Sequence, residues 1–290
     1  MKHAYLILAH NEFEILNRLI ESLDDARNDI FIHFDAKVQE LPKIEVNKAS
    51  LIVLNKRVDV RWGDFTVIEA ELNLFEEASK RNTYQYYHLL SGVDMPIKSQ
   101  DYLHRFFNSN NGKEFVGFYT GEIKNEIDRK VMKFHLFPGS FRDQGGINIV
   151  KKIFRSGYIK FQELIGFHRN KDIDFRKGTQ WISITDALVR LILENKAQIY
   201  KIYKNTFCCD EIVVQTICWN SAFKQNIFDL TDEGRGCMRE IRWENNMIRD
   251  WTEDDFEYLI NSDKLFARKF NSKSISVVDK ILQYIQLNKT

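Results

Sequence analysis

The sequence predicts an α/β fold in which a mostly parallel central sheet is flanked by helices. Continuous apolar runs alternate with helical patterns over the first hundred residues, and each run has the length of a buried strand. The runs lack alternating polar residues, which is typical of parallel sheets covered on both faces. Each run also leads toward polar residues, as strands do where such sheets bind ligands.

Four apolar runs are the predicted strands of this sheet. They are residues 5–9, 29–34, 50–54 and 86–90. The polar and aromatic side chains that follow the runs are His10, Asn11, Asp35, Arg61, Trp62 and Asp94. Because the carboxyl ends of parallel strands lie at one edge of a sheet, we expect these side chains to line a ligand site.

Helices are predicted between the strands and in the second half of the chain. Two apolar stripes at helical spacing are Phe13, Leu16, Ile20 and Leu23, then Phe65, Ile68, Leu72 and Phe75. We expect Thr185 to cap a helix over residues 186–194 and Asp210 to cap a helix over residues 211–219. The last predicted helices are residues 253–261 and a closing helix with Val277, Ile281 and Ile285 inside.

The middle of the chain is less regular. Residues 115–119, 132–137, 180–184 and 238–243 predict four further strands. Residues 139–146 contain three glycines among polar side chains, which predicts a mobile loop.

Composition and charge exclude several functional classes. The 290 residues carry 42 Lys and Arg against 41 Asp and Glu, a net charge of +1, which argues against nucleic acid as a partner. No run approaches the roughly 18 apolar residues of a membrane span, so no transmembrane segment is expected. The four cysteines form no C-x-x-C pair, which favours the cytoplasm. Without a repeat or a linker rich in Pro, Gly or Ser, residues 1–290 predict a single domain.

Several common enzyme motifs are missing. The sequence has no G-x-G-x-x-G, no P-loop, no H-E-x-x-H and no G-x-S-x-G. Its one D-x-D triplet, at residues 172–174, lies outside the predicted first-half sheet, whereas the strand end at Asp94 carries a single carboxylate. These observations favour a site that needs no metal or other cofactor.

Charged residues near the C-terminus suit an anionic leaving group. Without a metal, a diphosphate needs fixed cations, and the candidates are Arg239, Arg242, Arg249, Arg268 and Lys269. A solvated basic face is the alternative interpretation. Glu211 follows Asp210 at a predicted helix start, where the helix dipole suits a general base. An acidic residue that only stabilises the helix is the alternative for Glu211.

Seven sequence strings, taken in order, resemble the family 14 glycosyltransferases. They are residues 5–11, 32–35, 61–63, 89–98, 177–181, 210–211 and 265–270. The strings SGVDMPIKS and LFARKF are specific in combination. The family includes the core-2 and I-branching β-1,6-N-acetylglucosaminyltransferases and the peptide O-xylosyltransferases, and the resemblance extends over residues 4–270.

This resemblance implies a GT-A-type fold, a UDP-sugar donor, inversion at the anomeric carbon and no metal requirement. It implies that Glu211 is the catalytic base and that Lys269 contacts the donor diphosphate. Arg249 shares that contact, and Arg242 takes its place if the alignment shifts. Residues 1–100 are then the nucleotide-binding half, and residues 101–290 the acceptor-binding and catalytic half.

The expected reaction transfers a sugar, GlcNAc before others, to a hydroxyl of a glycan or lipid-linked glycan in surface polysaccharide synthesis. The residues expected at the nucleotide are His10, Asn11, Asp35, Arg61, Trp62 and Asp94. Trp181, Glu114 and Lys133 are expected at the acceptor, with buried packing as an equal alternative for Trp181 and Trp62. The expected location is the cytoplasm, including the inner face of the membrane.

Three alternatives stay open at this point. The donor could be UDP-xylose, or the protein could be a catalytically inactive glycan-binding protein on the same fold. A glycosidase also needs two carboxylates, but a basic C-terminal region suits a diphosphate better than a neutral glycan.

Overall fold

The structure is a computed structural model that describes residues 1–143, 146–245 and 247–288. The strands within these ranges are β1 (His3–Ala9), β2 (Asn28–Phe34), β3 (Ser50–Val53), β4 (Tyr86–Ser91), β5 (Asp94–Pro96), β6 (Ser183–Thr185), β7 (Arg239–Ile241), β8 (Trp243–Glu244), β9 (Met247–Ile248) and β10 (Phe266–Arg268). The helices are α1 (Phe13–Leu23), α2 (Thr66–Arg81), α3 (Gln100–Ser109), α4 (Lys124–Val131), α5 (Gly146–Leu164), α6 (Asp186–Glu194), α7 (Lys196–Tyr203), α8 (Val213–Trp219), α9 (Glu233–Cys237), α10 (Phe256–Asn261) and α11 (Ile275–Leu287).

The central sheet has the strand order β3-β2-β1-β4-β6. The first four of these strands run parallel, and β6 joins antiparallel to β4. Tyr5 in the middle strand lies opposite Ile30 on one side and His88 on the other. The sheet therefore confirms the predicted α/β class, and the four apolar runs are its four parallel strands.

Each face of the sheet has its own hydrophobic core. Leu6 of β1 belongs to the core that contains residues of α2, α6 and α8. Its neighbours Tyr5 and Ile7 point to the opposite face and belong to the core with α1 and α11. This alternation follows from the two-residue period of a strand, and it explains why both sets of positions are apolar.

A second sheet connects the C-terminal region to the end of β4. Its order is β5-β10-β7, with β10 antiparallel to β5 and parallel to β7. Only Gly92 and Val93 separate β4 from β5. The chain end that carries the basic residues is thereby held at the carboxyl edge of the central sheet.

Two predicted strands are irregular segments in the structure. Phe115 makes only an isolated bridge to Ser183, and residues 132–137 follow α4 without strand pairing. The amide of Phe134 donates to the Gln162 side chain at 2.8 Å, and the amide of His135 donates to the Asn205 carbonyl at 2.8 Å. The backbone is satisfied by these partners, so a strand is not required.

The predicted loop at residues 139–146 is partly described. Residues 138–140 form a short 3₁₀ turn, Gln144 and Gly145 lie outside the described residues, and α5 starts directly afterwards. Helix α5 is not predicted from the sequence. Among the helices of the described ranges, none combines the length and apolar character that crossing a bilayer needs.

Three buried histidine side chains, those of His3, His88 and His104, form one cluster beside the central sheet. His88 Nε2 lies 3.0 Å from His3 Nδ1, and the rings of His3 and His104 are 4.1 Å apart. The outer nitrogens contact Ser183 Oγ at 2.8 Å and Asn28 Oδ1 at 2.9 Å. Burial lowers the pKa of His3 to about 3 and that of His104 to about 4, and it also lowers the pKa of His88.

The histidine cluster predicts acid sensitivity of the fold. Between the ordinary histidine pKa near 6.5 and these lowered values, the unfolded chain binds more protons than the folded protein. The free energy of unfolding should therefore fall as the pH decreases from about 6.5 to about 4. Urea titrations at several pH values measure it, and stability that stays constant over that range would contradict the prediction.

Candidate active site

The turn after β4 builds a buried ion pair. Asp94 Oδ2 accepts from the amide of Ser91 at 2.8 Å, and Oδ1 accepts from Ser91 Oγ at 2.7 Å and from the Arg268 guanidinium at 2.8 Å. A Cβ on Gly92 would lie 3.3 Å from the Ala9 side chain, so this turn packs tightly against β1. Asp94 is buried and pairs with Arg268, and its contact with the nucleotide stays a prediction.

Arg268 also covers an aromatic ring. Its guanidinium lies 4.2 Å from the ring centroid of Trp181, and Trp181 itself is buried in the core that contains α2. Such a contact is worth about 0.5–2 kcal/mol, depending on how far it is desolvated. Trp181 is thus packed as the buried-packing alternative expects, and its contact with the acceptor stays a prediction.

The cations predicted for the diphosphate lie around one tryptophan and two aspartates. Lys269 Nζ is 3.4 Å from Asp250, while Arg249 and Arg242 contact the two oxygens of Asp255 at 3.2 and 3.1 Å. Trp251 links the groups, because its amide donates to the Lys269 carbonyl at 2.9 Å and its ring N–H donates to the Arg268 carbonyl at 2.8 Å. The structure thus connects Lys269 to Arg249 and Arg242 through residues 250–255.

These cations are reachable from solvent to different degrees. The exposed fraction of the side chain is 37% for Lys269, 27% for Arg249 and 49% for Arg242. Asp255 is buried and also accepts from the amide and hydroxyl of Thr252. The carboxylates therefore hold the cations in place without covering them.

Glu211 lies before an α-helix and not in its first turn, where the sequence predicts it. A 3₁₀ turn at residues 209–211 precedes α8, which begins at Val213, and no side chain caps the start of α8. The predicted cap at Asp210 is wrong: its Oδ1 is buried without a hydrogen bond among the described residues. Burial and the neighbouring Glu211 carboxylate raise the pKa of Asp210 to about 6.

Two lysines contact the Glu211 carboxylate. Lys130 Nζ lies 3.2 Å and Lys177 Nζ 3.6 Å from Oε2. Both lysines also contact Glu126, at 2.7 and 2.8 Å. Burial opposes the charge on Lys130, but Glu211 and Glu126 outweigh it and raise the pKa of this lysine. Sequence reasoning missed Lys130 as part of this site, although Lys177 opens one of the family-like strings.

Residues 177–181 join the Glu211 side of the site to the basic side. The amide of Gly178 donates to the Glu211 carbonyl at 2.9 Å, and Trp181 lies under Arg268. Gly178 and Trp181 are three residues apart, so their Cα atoms lie within about 11 Å. A side chain at residue 178 would place its Cβ 1.8 Å from the Gly117 carbonyl oxygen, so this close approach requires glycine.

The residues predicted at the nucleotide fall into two groups. His10, Asn11 and Asp35 follow β1 and β2, and the Asp35 amide bonds to the end of β1. Burial lowers the pKa of His10, although Asp35 opposes this. Both oxygens of Asp35 contact Lys37, one through its amide and one through its ammonium group, at 2.9 Å each.

Arg61 and Trp62 lie nearer to the turn that carries Glu211. Trp62 is exposed, and its ring centroid is 5.6 Å from that of Phe207. The Gly63 carbonyl accepts from the Cys208 amide at 2.9 Å. Arg61 pairs with Asp59 at 2.8 Å. Trp62 therefore keeps an accessible ring, unlike Trp181.

Two residues predicted at the acceptor are buried and bound elsewhere. Glu114 is fully buried, and its oxygens accept from the amide of Thr185 at 2.9 Å and from its hydroxyl at 2.5 Å. Burial raises the pKa of Glu114 to about 7. Lys133 is buried and donates to the Phe167 carbonyl at 2.5 Å. Both side chains are thus buried and hydrogen-bonded within the protein, and their contact with the acceptor stays a prediction.

The D-x-D triplet is occupied by structural contacts. Asp174 accepts from Arg176 at 2.7 Å and from the Trp219 ring N–H at 2.8 Å. Within the part of the chain that the structure describes, no group of three or more His, Cys, Asp or Glu side chains could hold a metal ion. Whether the reaction needs a metal stays a prediction.

Comparison with known proteins gives consistent matches. A family model described as Core-2/I-Branching enzyme matches residues 3–268. Xylosyltransferase oxt of Drosophila pseudoobscura pseudoobscura is 21% identical over 279 residues, with 88% of this chain and only 30% of that protein covered. The β-1,3-galactosyl-O-glycosyl-glycoprotein β-1,6-N-acetylglucosaminyltransferase 3 of Rattus norvegicus is 21% identical over 314 residues, with 98% of this chain and 67% of that protein covered. The solved apo structure of mouse xyloside xylosyltransferase 1 is 11% identical, covers 94% of this chain and 99% of its own, and has a TM-score of 0.37.

The buried pair between Asp94 and Arg268 predicts a large stability effect. Replacing Asp94 with Asn removes the charge and leaves the partly buried Arg268 guanidinium with Ser91 and Trp181 but without a carboxylate, which should lower the free energy of unfolding by about 2–4 kcal/mol. Urea unfolding measures it. Asp263→Asn breaks an exposed pair with Lys264 and serves as the control, with an expected change below about 1 kcal/mol. Equal effects of the two substitutions would contradict this account.

Proposed function

Because the chain belongs to the core-2/I-branching enzyme family and is a glycosyltransferase, we propose that it moves GlcNAc from a UDP-sugar to a hydroxyl of a glycan acceptor. The transfer inverts the anomeric carbon and needs no metal ion. One observation carries the proposal: Glu211 and the cations Lys269 and Arg249 lie on the two sides of residues 177–181.

In the proposed reaction, the acceptor hydroxyl oxygen attacks the anomeric carbon of the donor. The bond between that carbon and the β-phosphate oxygen breaks, the hydroxyl proton moves to Glu211, and UDP leaves as an anion. Lys269 and Arg249, with Arg242 as the alternative, meet the negative charge that grows on the diphosphate. Their partial exposure allows the diphosphate to contact them beside Asp250 and Asp255.

The proposal also specifies which sugar is transferred and which acceptor receives it. The rat relative is named for transfer of N-acetylglucosamine and the Drosophila relative for transfer of xylose, so UDP-xylose is the second candidate donor. We assign the nucleotide to residues 1–100 and the acceptor and base to residues 101–290. A glycan or lipid-linked glycan at the inner face of the membrane is the proposed acceptor, as in surface polysaccharide synthesis.

Replacing Glu211 with Gln tests the proposed base. The rate of UDP release in the presence of acceptor should fall by about 10²–10⁴-fold, while donor binding, followed by thermal shift, stays within a few fold. Glu126→Gln is the matched control, since Glu126 contacts the same two lysines. We expect it to lower the rate by less than about tenfold. A Glu211→Gln variant that keeps near-normal turnover would refute the assignment.

The basic side is tested through the donor. UDP, UDP-GlcNAc, UDP-xylose, UDP-glucose and UDP-galactose are compared by thermal shift, because a ligand at 100 times its dissociation constant stabilises by about 2.7 kcal/mol. Lys269→Ala and Arg249→Ala should each remove about 3 kcal/mol of charge stabilisation from the reaction, roughly a hundredfold in rate.

The controls for this experiment address the alternatives. Lys280→Ala removes an exposed lysine that pairs with Glu253 and should leave the rate unchanged. A larger loss in Arg242→Ala than in Arg249→Ala would exchange their roles. Loss of turnover with a chelator would argue for a metal, and no turnover with any UDP-sugar would favour the inactive binding protein.

A further inference from the structure

Helix α5 presents its apolar side to solvent and its polar side to the protein. The residues that face inward include Arg155, Ile159 and Gln162, all buried. The Gln162 side chain holds the backbone of Phe134, accepting from its amide at 2.8 Å and donating to its carbonyl at 2.9 Å. A helix that packs on a core normally buries its apolar side, so α5 is oriented the opposite way.

The outward side is formed by large apolar residues, each between 52% and 85% exposed. They are Ile147, Ile149, Val150, Ile153, Phe154, Phe161 and Leu164. At 3.6 residues per turn, these positions cover an arc of about 160°. Contiguous apolar surface of this kind marks a site of contact with another phase or molecule. We call these seven residues the outer face of α5.

Positive charge lies on and beside the outer face, with Lys160 inside the apolar arc near its edge and Lys152 outside it. Between residues 146 and 164 the helix carries Lys151, Lys152, Arg155 and Lys160 against the single acid Glu163, a net charge of +3 (four minus one). Lys152 and Lys160 are exposed. A large apolar arc with bordering lysines has the chemistry of helices that lie in a membrane interface. In a symmetric contact between two copies, these cations would face each other and repel.

Exposed aromatic rings connect this helix to the candidate active site. The Arg155 guanidinium lies 4.7 Å from the ring centroid of Phe141. The ring of Phe141 is 4.7 Å from that of Phe207 and 5.4 Å from that of Trp62. Phe207 lies four residues before Glu211 in the sequence. Arg155 is on the inward side of α5, so the helix contacts these rings with the side opposite the outer face.

We propose that the outer face of α5 binds the surface of an anionic lipid bilayer. The apolar residues enter the interface, and Lys152 and Lys160 contact lipid phosphates. The inference rests on the proposed function only in one respect: it places the acceptor at the membrane, where a lipid-linked glycan would reach the site. The binding itself requires neither donor nor turnover.

Flotation of the full chain with lipid vesicles tests the proposal. We expect binding to vesicles of equal parts phosphatidylcholine and phosphatidylglycerol, and at least tenfold weaker binding to phosphatidylcholine alone. Ile153→Ser combined with Phe154→Ser should weaken binding to the anionic vesicles at least tenfold. Leu230→Ser combined with Leu287→Ser, which changes two exposed leucines elsewhere, should leave binding unchanged.

A charge variant and a salt series test the electrostatic part. Lys152→Ser combined with Lys160→Ser should weaken binding severalfold, as should raising the salt from about 0.1 M to about 1 M, where charges are screened within about 3 Å. Circular dichroism of each variant verifies folding, which is expected to persist because all the changed residues are exposed.

The outcomes separate this inference from the proposed function. No binding to anionic vesicles, or binding that the Ile153/Phe154 variant retains, would overturn the inference even if UDP release is normal. A self-associating protein that this variant converts to a monomer, without vesicle binding, would instead assign the face to a second copy. Vesicle binding without turnover on any donor would contradict only the proposed function.

Discussion

The ion pair between Asp94 and Arg268 holds the C-terminal region against the central sheet. Ser91 fixes the Asp94 carboxylate through its amide and hydroxyl, and the pair connects positions 174 residues apart. Arg268 belongs to β10, and Lys269 follows it directly. The carbonyls of both accept from Trp251, which comes two residues after Arg249. The location of the candidate diphosphate cations thus depends on one buried carboxylate.

A second constraint fixes the side of the site that carries Glu211. Gly178 approaches the Gly117 carbonyl so closely that no side chain fits there, and its amide bonds to the Glu211 carbonyl. The same segment ends at Trp181, on which Arg268 stacks. A five-residue segment held at both ends in this way connects a carboxylate to a group of cations, and catalysis by positioned charges requires such fixed placement.

Local sequence patterns predict the central sheet. The burial of charged residues depends on contacts with residues far along the chain, which such patterns do not reveal. The parallel strands are continuous apolar runs, which a short window of sequence reveals. The burial of Glu114 depends on Thr185, 71 residues away, and that of Lys133 on Phe167, 34 residues away. A charged residue whose partner lies so far along the chain resembles a surface residue in the sequence, so both were placed at the acceptor. The strings shared with the family indicate Glu211 and Lys269 in another way, because they compare whole sites instead of single residues, and both assignments stay predictions.

The cations proposed to bind the donor diphosphate are paired with aspartates in the structure. Lys269 is paired with Asp250, and Arg249 and Arg242 share Asp255, so three cations face two carboxylates and one positive charge remains in excess. A diphosphate that enters adds its charge to these pairs or replaces a carboxylate as partner, and no cation is left unpaired in either state. The aspartates of the folded protein therefore reduce the electrostatic repulsion between neighbouring cations. A protein with a net charge of only +1 can therefore maintain a local site for a strongly anionic leaving group. The cations are concentrated in the C-terminal region, and the aspartates beside them reduce their mutual repulsion.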